Sequence, residues 1–394
     1  MCGCQGCGHS AILHIFTAVR IAVNTRLLLP GKLEGIGWFT HEALSRIVRA
    51  HPEHEFHFIF DRAPDPAFHY ADNVQVHALW PPTRHPLLYV LWFEYRLPSL
   101  LRRIKADAFI SPDGYLSTRT TVPQLCVMHD LNFENYPADL PRAYSNYYRT
   151  WFPRFAKKAA RLVTVSEFSR EDIHQRYGVP LDNIDVAHNG VAEAYSPSST
   201  DEQTATRTSL TNGDPYFICV GSLQPRKNIA RLLLAFDALV NSDPSPLKLV
   251  IVGEAFWWDA RMKEAWQQVQ HKDRVVFTGR LGQEALRNAI GASLALAYVS
   301  YFEGFGIPVA EAMKCGVPVL AANATSLPEV AGDASVYCDP FSVDSMRDGL
   351  AQLRNDAALR ARLSGLGIAR VQRFTWDRTA AALWASFERM MQTP

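Results

Sequence analysis

Short apolar runs alternate with longer stretches in which apolar residues recur at helical spacing, starting at Arg20. Runs rich in β-branched and aromatic residues predict the strands of the first half: RIAVN, EFHFIF, VQVHAL, DAFIS, QLCVMHD, RLVTVS and IDVAHN. Helical periodicity lies between several of them, at residues 37–50, 86–104, 142–158 and 167–176. Because these strands are almost continuously apolar, we expect sheets that are covered on both faces.

The pattern stops at residues 193–215, where Ser, Thr, Pro and acidic residues predominate. It then restarts with a second series of predicted strands: YFICVG, LKLVIVG, RVVFTG, LALAYVS, VPVLAA and ASVYC. Helices are predicted near 227–241, 257–270 and 282–291. Alternation of strands and helices on both sides of a polar junction predicts an α/β protein with two parallel-sheet domains, which bind ligands in the cleft between them.

Domain boundaries are expected where this pattern changes. A disordered leader is predicted at 1–19, a first domain at 20–192, a linker at 193–214 and a second domain at 215–374. Residues 375–394 contain TWDRTAAALWASFERMM, a further amphipathic helix that would pack back on the first domain.

Composition narrows the class of protein. Of 394 residues, 48% are hydrophobic and 20% are charged, as in ordinary globular proteins. Lys and Arg total 40 against 39 Asp and Glu, without the basic surplus of a general nucleic-acid binder. The best candidate for a membrane span, AILHIFTAVRIAV, is interrupted by His14 and Arg20, and the start lacks the basic residues of a secretory signal. We therefore expect a cytoplasmic protein.

Cysteines are concentrated at the start of the chain, where Cys2, Cys4 and Cys7 precede His9. Thiolates and imidazole are zinc ligands, but this spacing has no second half nearby that would complete a site. A flexible leader is the simpler interpretation. The other cysteines lie in apolar surroundings and are predicted to be small core residues: Cys126, Cys219, Cys315 and Cys338.

The segment with the clearest chemical pattern is EGFGIPVAEAMKCGVPVLAANATSLPEV, residues 303–330. Its glycines allow a close backbone approach, its first proline suits the first turn of a helix, and a later glycine ends that helix. The N–H groups of Phe305, Gly306 and Ile307 would then point out of a helix N-terminus. Such a terminus favours anions, particularly phosphate.

Two carboxylates flank this helix start, Glu303 just before it and Glu311 about one turn inside it. Neither suits a phosphate, since like charges repel, but each can accept hydrogen bonds from hydroxyl groups beside the phosphate. Hydroxyls on both sides of a diphosphate describe a nucleotide sugar, with its hexose at Glu303 and its ribose at Glu311. The alternative is a structural Gly-Pro turn with a dipole-friendly acid at the helix start.

The string E-G-F-G-x-P-x-x-E-A-M-x-x-G-x-P-V, with SLPEVAGDAS after it, resembles the signature of retaining glycosyltransferases of family 4. These enzymes share the GT-B fold, in which two Rossmann-like domains face each other across a cleft. The resemblance covers nearly the whole chain from Arg20. It implies an acceptor-side first domain and a second domain that binds the nucleotide sugar.

A second family-like segment is CVGSLQPRKNIARLLLAF, residues 219–236. Arg226 and Lys227 lie where a helix begins, and two cations there can hold the leaving diphosphate and neutralise its charge. Similar enzymes often carry an Arg directly after the first glycine, where this chain has Ser222. A solvated surface role for Arg226 therefore stays open.

Two further segments supply candidate residues from the first domain. Gly35 and Gly37 in LLLPGKLEGIGWFTHEAL would let backbone N–H groups approach a phosphate or the acceptor, with a helix beginning near Trp38. A plain flexible turn is the alternative. His129 and Asp130 follow a predicted strand, and the resemblance implies that His129 hydrogen-bonds the donor sugar while Asp130 orients it or contacts the acceptor. A lone His is otherwise more often structural.

Residues 142–162, RAYSNYYRTWFPRFAKKAARL, mix basic with aromatic side chains. Two interpretations have equal weight. A helix that lies on an anionic membrane has this composition, and so does a helix with a buried aromatic face and a solvated basic face. The first would place the protein peripherally at the inner face of a membrane.

These features predict an enzyme that transfers a hexose from a nucleoside-diphosphate sugar to a saccharide or lipid-linked acceptor with retention, in surface polysaccharide or glycolipid synthesis. GSLQPRKN and VMHDLNFENYP resemble segments of mannosyltransferases, which favours GDP-mannose. No metal, other cofactor or nucleic-acid partner is expected, because Arg226 and Lys227 can neutralise the charge and no Asp-x-Asp pair lies ready at the cleft. A GT-B epimerase or phosphorylase and a sugar-nucleotide binder without turnover are the alternatives.

Overall fold

A computed structural model describes residues 18–254 and 258–392 of the protein. The metal site considered for Cys2, Cys4 and Cys7 lies outside these residues, and so does the predicted leader up to residue 17. Both stay predictions from the sequence.

The first unit is a sheet of seven strands: β1 (Arg20–Asn24), β2 (Glu55–Phe60), β3 (Val74–Ala78), β4 (Ala108–Ser111), β5 (Gln124–Val127), β6 (Arg161–Thr164) and β7 (Ile184–Val186). All pairs are parallel, in the order β3-β2-β1-β4-β5-β6-β7. Its helices are α1 (Gly35–Ala50), α2 (Pro86–Leu91), α3 (Leu97–Ile104), α4 (Asn132–Asn135), α5 (Arg142–Lys158) and α6 (Glu167–Tyr177). One turn of π-helix, Trp92–Arg96, joins α2 to α3 in one continuous rod.

The second unit is a sheet of six parallel strands: β8 (Tyr216–Val220), β9 (Lys248–Val252), β10 (Val275–Gly279), β11 (Ala295–Tyr298), β12 (Val319–Ala322) and β13 (Ser335–Cys338). Their order is β10-β9-β8-β11-β12-β13, the arrangement of the first six strands of the first unit. Its helices are α8 (Ile229–Ser242), α9 (Ala260–Gln268), α10 (Gln283–Gly291), α11 (Ile307–Lys314), α12 (Leu327–Ala331), α13 (Val343–Asn355) and α14 (Ala357–Val371).

Both sheets are buried on two sides, as their apolar strands predict. Ile21 and Val23 of β1 belong to one hydrophobic cluster, whereas Ala22 between them belongs to another on the opposite face. The same division separates Ile218 from Phe217 on β8. Alternate residues therefore anchor helices on opposite faces, and the predicted fold class, two parallel-sheet α/β units, is confirmed.

Two elements differ from the prediction. The segment predicted as a linker contains a helix, α7 (Thr200–Thr211), which begins at a capping box between Ser199 and Glu202. Nearly all of its side chains are exposed or half-buried, so it lacks the apolar stripe that predicts a helix. Helix α1 begins at Gly35 rather than near Trp38.

A last helix, α15 (Trp376–Gln392), packs on the first unit although it follows the second in the chain. The ring of Trp384 stacks on that of His51 with centroids 3.7 Å apart, and Ser386 donates a hydrogen bond to Asp185. The chain thus crosses between the units twice, and the crossings lie side by side, since the Val191 amide donates to the Phe374 carbonyl at 3.1 Å.

Helix α5 places its aromatic residues in the core. Tyr147, Phe152 and Phe155 are buried, whereas Arg142 and Arg154 are exposed. The mixed composition of residues 142–162 therefore reflects a buried aromatic face and a solvated basic face, the second of its two interpretations.

Candidate active site

The predicted site residues lie at the carboxyl ends of strands near the centre of each sheet. The strand order reverses between β1 and β4 and again between β8 and β11, so the connections diverge and leave a crevice there. Gly35 and Gly37 come after β1, His129 after β5 and Glu303 after β11. Because the carboxyl ends of parallel strands lie at one edge of a sheet, the segments of each unit lie together at that edge. The two edges line the cleft between the units.

Glu303 is the centre of a buried ion-pair cluster. Its Oε1 is 2.7 Å from Lys227 Nζ, and its Oε2 is 2.7 Å from Arg226 Nη1. Lys227 also donates to the Tyr298 hydroxyl at 2.7 Å, and Arg226 donates to the Phe302 carbonyl at 3.1 Å. The cluster thus joins the loop after β8 to the loop after β11.

Local geometry holds the two cations in place. Gly221 has a φ of +143°, and a Cβ there would lie 3.0 Å from Lys227 Cε, so glycine leaves room for the lysine stem. Asn228 begins α8 in the left-handed conformation, and its amide donates to the carbonyls of Val299 and Pro340. These bonds fix the turn that carries Arg226 and Lys227.

The charges of the cluster depend on one another. Burial alone would raise the pKa of Glu303, but Arg226 and Lys227 outweigh it and hold that pKa at about 2. Burial lowers the pKa of Lys227, although Glu303 opposes this. Burial would also lower the pKa of Arg226, but Glu303 and then Asp130 raise it. Two cations thus share the buried carboxylate of Glu303, and Asp130 of the first unit is a second acidic residue near Arg226.

The loop that follows Glu303 is held by a residue that sequence reasoning missed. Ser326 Oγ lies 2.9 Å from the Glu303 carbonyl and 3.1 Å from the Phe305 carbonyl, and donates toward both. Gly306 then adopts a φ of +98° and starts α11 at Ile307. The SLPEV string carried a signal as part of the family-like signature, and in the structure its Ser lies immediately before α12.

Glu311 lies on α11 and is partly buried. Burial raises its pKa to about 7, and a hydrogen bond with Tyr195 opposes that rise. Tyr195 belongs to the crossing segment between the units, and Lys314 of the same helix donates to the Ala192 carbonyl of that segment at 3.0 Å. Glu311 therefore faces the junction of the units.

The first unit contributes His129 and Asp130. His129 Nε2 donates to the Pro112 carbonyl at 2.8 Å, and burial lowers the pKa of the imidazole, so the ring is neutral with Nδ1 as its acceptor. Its edge packs on Phe39 with centroids 4.9 Å apart. Asp130 Oδ1 accepts from the backbone N–H of Asn132 at 2.9 Å, which forms an Asx turn before α4.

Gly304 brings the two units into contact. A Cβ on Gly304 would lie 2.5 Å from the His129 carbonyl oxygen and 3.0 Å from Asp130 Cβ, so only glycine permits this approach. Ser169 Oγ donates to the His129 carbonyl at 3.2 Å. His129 and Asp130 thus join Arg226, Lys227 and Glu303 in one contiguous group.

The glycines of the first loop have different surroundings. A Cβ on Gly35 would have no atom within 4 Å, whereas a Cβ on Gly37 would lie 2.9 Å from the Leu27 carbonyl. Arg280 of the second unit donates to the Leu33 carbonyl in this loop at 3.2 Å. Gly37 is therefore needed for packing against the Leu27 carbonyl, and the roles of Gly35 and Gly37 in binding a ligand stay predictions.

A further contact between the units was not predicted. The Tyr301 hydroxyl and Arg261, both of the second unit, hydrogen-bond to Asp139 of the first. Tyr136 packs on Tyr301 with ring centroids 4.7 Å apart. No sequence motif marks these residues, because the contact depends on how the units face each other.

One group of side chains has ligand atoms close enough to hold a metal in the described residues: His51, Glu53 and His54. It precedes β2 and so lies at the opposite sheet edge from the cleft. His54 Nδ1 accepts from the Val19 amide at 3.4 Å, so its proton is on Nε2, facing Glu53 at 3.6 Å. Hydrogen bonds are thus sufficient to explain why these three side chains lie close together. Among the described helices, none has both the length and the apolar character to span a bilayer.

Comparison with known proteins agrees with this geometry. Residues 34–195 match Glycosyltransferase Family 4, and residues 201–368 match Glycosyl transferases group 1. O-antigen chain mannosyltransferase B of Escherichia coli is 31% identical over 301 residues, which cover 75% of this chain and 78% of that protein. The chain is a glycosyltransferase of family 4 type. Serotype-specific mannosyltransferase WbdA of Escherichia coli is 25% identical over 68% of this chain, which spans only 34% of that protein.

Solved structures share the fold of this glycosyltransferase. Sucrose-phosphate synthase from Thermosynechococcus elongatus superposes with a TM-score of 0.75 at 17% identity, over 95% of this chain and 100% of that one. Anabaena HepE in complex with UDP-glucose gives a TM-score of 0.74 at 18% identity, over 94% and 100%. The family, the GT-B fold and the activity class predicted from the sequence are therefore confirmed, and the epimerase and silent-binder alternatives are not favoured.

Proposed function

We propose that this glycosyltransferase transfers a mannosyl unit from GDP-mannose to a saccharide or lipid-linked acceptor, with retention, in the synthesis of a surface polysaccharide. The observation that carries the proposal is the cluster of two cations on the buried carboxylate of Glu303. The names of the mannosyltransferase relatives support the sugar and the pathway class.

The diphosphate of the donor would lie against Lys227 and Arg226. Both cations already face a carboxylate oxygen, and a phosphate oxygen makes equivalent charge-assisted hydrogen bonds. The amino end of α11, at Gly306 and Ile307, adds backbone N–H groups to the same anion. As the diphosphate leaves, these groups stabilise the charge that develops on it, and no metal is required.

The sugar and the nucleoside would contact the acids. Glu303, whose pKa of about 2 keeps it ionised at neutral pH, accepts hydrogen bonds from hexose hydroxyls, while Glu311 accepts from the ribose diol. His129 is neutral and offers Nδ1 to a sugar hydroxyl from the opposite side of the cleft. Together they orient the anomeric carbon toward the acceptor.

Retention follows if attack and departure occur on one face of the sugar. The bond from the anomeric carbon to the β-phosphate oxygen breaks, a bond to the acceptor oxygen forms, and the acceptor proton passes to that phosphate oxygen. No side-chain nucleophile is then needed. In this scheme the role of Lys227 and Arg226 is to stabilise the phosphate before and after it takes the proton.

A donor panel tests the proposal. The purified enzyme is incubated with GDP-mannose, GDP-fucose, UDP-glucose or UDP-N-acetylglucosamine and a mannose-terminated oligosaccharide, with and without a chelator. We expect transfer from GDP-mannose only, unchanged by the chelator, and an α-linked product by NMR. Transfer from a UDP-sugar would overturn the proposal that GDP-mannose is the donor. A β-linked product would overturn the proposal of retention, and loss of activity with the chelator would overturn the proposal that no metal is required.

A matched pair of variants ties the activity to the cluster. Glu303→Gln is expected to lower kcat/KM by about 100-fold, the scale of removing one preorganised electrostatic contact. Glu264→Gln makes the same change on the exposed face of α9 and should leave kcat/KM unchanged. Equal activity of the two variants would remove Glu303 from the site.

A further inference from the structure

Exposed apolar side chains are concentrated on one surface of the first unit. Eight large hydrophobic residues are exposed in the described part of the chain, and five of them lie between residues 76 and 95. We call four of these the α2 stripe: Trp80 (69% exposed), Leu87 (74%), Leu91 (42%) and Tyr95 (51%). Scattered exposed apolar residues are ordinary, but a contiguous group indicates an interaction surface.

Helical geometry places this stripe on one face of the rod formed by α2 and α3. Leu87, Leu91 and Tyr95 are spaced by one turn each, so they project on the same side. The opposite side is fixed in the core, where Trp92 and Phe93 have no exposed surface. The rod therefore cannot rotate to bury the stripe without exposing larger aromatic side chains.

Positive charge surrounds the stripe. Residues 80–105 contain one acidic residue, Glu94, which is buried and accepts hydrogen bonds from Thr118. Arg119 is exposed, with its Nε 4.0 Å from Glu94, and so are the arginines of this segment: Arg84, Arg96, Arg102 and Arg103. Two are attached to the stripe, since Arg96 donates to the Trp80 carbonyl at 3.1 Å and the Arg119 guanidinium lies 4.2 Å from the Tyr95 ring centroid.

The stripe begins at the edge of the sheet that forms the cleft. Trp80 lies two residues after the last residue of β3, at the carboxyl end of that strand. In the same connection Thr83 donates to Asp61, which follows β2, and accepts from Arg26, which follows β1. The surface is thus rigidly attached to the acceptor side of the enzyme.

We propose that the α2 stripe docks on an anionic lipid bilayer and holds the acceptor side of the cleft against it. Leu87 and Leu91 enter the boundary between headgroups and acyl chains, and Trp80 and Tyr95 lie at the headgroup level. The arginines contact lipid phosphates, which favours an anionic membrane over a second copy of this basic surface. This proposal places the transfer reaction at a membrane surface. It rests on the proposed function only in assuming that the acceptor is lipid-linked.

Vesicle co-sedimentation tests the docking. We expect the protein to pellet at low salt with vesicles of phosphatidylethanolamine and phosphatidylglycerol, and to stay in solution with phosphatidylcholine vesicles. Leu87→Ser with Leu91→Ser should lower the partition coefficient about tenfold or more, since the apolar contact is lost. Arg102→Gln with Arg103→Gln should lower it about fivefold for each charge removed.

Matched controls separate this surface from general stickiness and from misfolding. Ile368→Ser removes an exposed apolar residue on α14 of the second unit and should leave vesicle binding unchanged. Circular dichroism and thermal melting of the double serine variant should match the wild type, because both side chains are exposed.

Failure of this inference is distinct from failure of the proposed function. Transfer to a soluble oligosaccharide without vesicles should be equal in the wild type and the double serine variant. No sedimentation at low salt, or equal sedimentation of the two proteins, would overturn the docking while transfer persists. A concentration-dependent dimer by light scattering that the serines abolish would also overturn it and assign the stripe to self-association.

Discussion

The ends of the two central strands occupy the same position in both units, yet they carry different charges. In the first unit, Arg26 after β1 pairs with Asp113 after β4, with 2.5 Å between Nε and Oδ2. In the second, Arg226 and Lys227 after β8 share Glu303 after β11. The first arrangement matches one cation with one carboxylate, whereas in the second two cations share one carboxylate and Arg226 is also near Asp130 of the other unit.

The two clusters also differ in the further contacts that their charged side chains make. Asp113 also accepts from the Asn24 amide at 2.8 Å, and the Arg26 guanidinium lies 4.1 Å from the Tyr115 ring centroid. Burial would lower the pKa of Arg26, but Asp113 raises it. A buried pair of one cation and one carboxylate holds a structure together, whereas two cations that share one carboxylate at the same topological position can also bind an anionic ligand. The sharing of Glu303 by two cations, rather than the presence of buried charge, distinguishes the donor side.

Removing the counter-charge in the first unit should have the largest effect. Asp113→Ala leaves Arg26 buried without an anion, and we expect a loss of about 3–5 kcal/mol in the free energy of unfolding, measured in urea. Asp377→Ala breaks a pair between Arg46 and an acid whose side chain is 81% exposed, and should cost less than about 1 kcal/mol. Similar losses in both variants would contradict a structural role for the Arg26 pair.

Removing a cation in the second unit should instead affect catalysis. Lys227→Met keeps Glu303 paired with Arg226, so we expect the fold to persist while kcat/KM falls about 100- to 1,000-fold. Lys263→Met, on the exposed face of α9, supplies the matched change. A Lys227 variant with kcat/KM within threefold of the wild type would show that the second cation on Glu303 is not used in transfer.

A substitution that adds one methyl group at Gly304 tests the contact between the units. The added methyl group of Gly304→Ala would press on the His129 carbonyl and push the loop after β11 away from the loop after β5. Because this misplaces the reacting groups, we expect kcat/KM to fall about 10- to 100-fold. Gly365→Ala has open space around it and lies within α14, where alanine favours the helix. If Gly304→Ala retained full activity, close apposition of the loops would be unnecessary for transfer.

The smallest effect is expected at Glu311 and depends on pH. Its raised pKa means that the folded protein holds a proton that the unfolded chain releases above about pH 4.5, so this group's contribution to stability falls as pH rises to about 7. Glu311→Gln should match the wild type in melting temperature at pH 5 and exceed it by a few degrees at pH 8. A difference that does not change with pH would mean that Glu311 titrates normally.

Much of the fold could be predicted because its strands are continuous apolar runs, and the order of site segments followed from the carboxyl ends of those strands. Side-chain partners could not. The pairing of Glu303 with Lys227 joins positions 76 residues apart, and the Arg26 pair lies in no motif. Helix α7 was missed although Ser199 and Glu202 provide a capping box, because its surface is polar all round.

The sequence also could not predict which face of a helix points toward the core. The aromatic residues of α5 and the apolar residues of the α2 stripe have similar composition, yet Phe155 is fully buried and Leu87 is 74% exposed. Only the neighbours of each helix decide which side faces the core. The composition of residues 142–162 therefore could not decide between its two interpretations, and the exposed apolar residues Leu87, Leu91 and Tyr95 were not singled out from the sequence.

Helix α15 has a consequence for how the protein is made and how it can be recombined. Trp384 and Phe387 complete the hydrophobic cluster around β1 and α1, but they leave the ribosome after the whole second unit. The first unit must wait for them with part of its apolar surface uncovered, a delay that favours chaperone binding over early independent folding. Chimeras that exchange donor-side units between relatives should accordingly keep residues 376–392 with the acceptor-side parent.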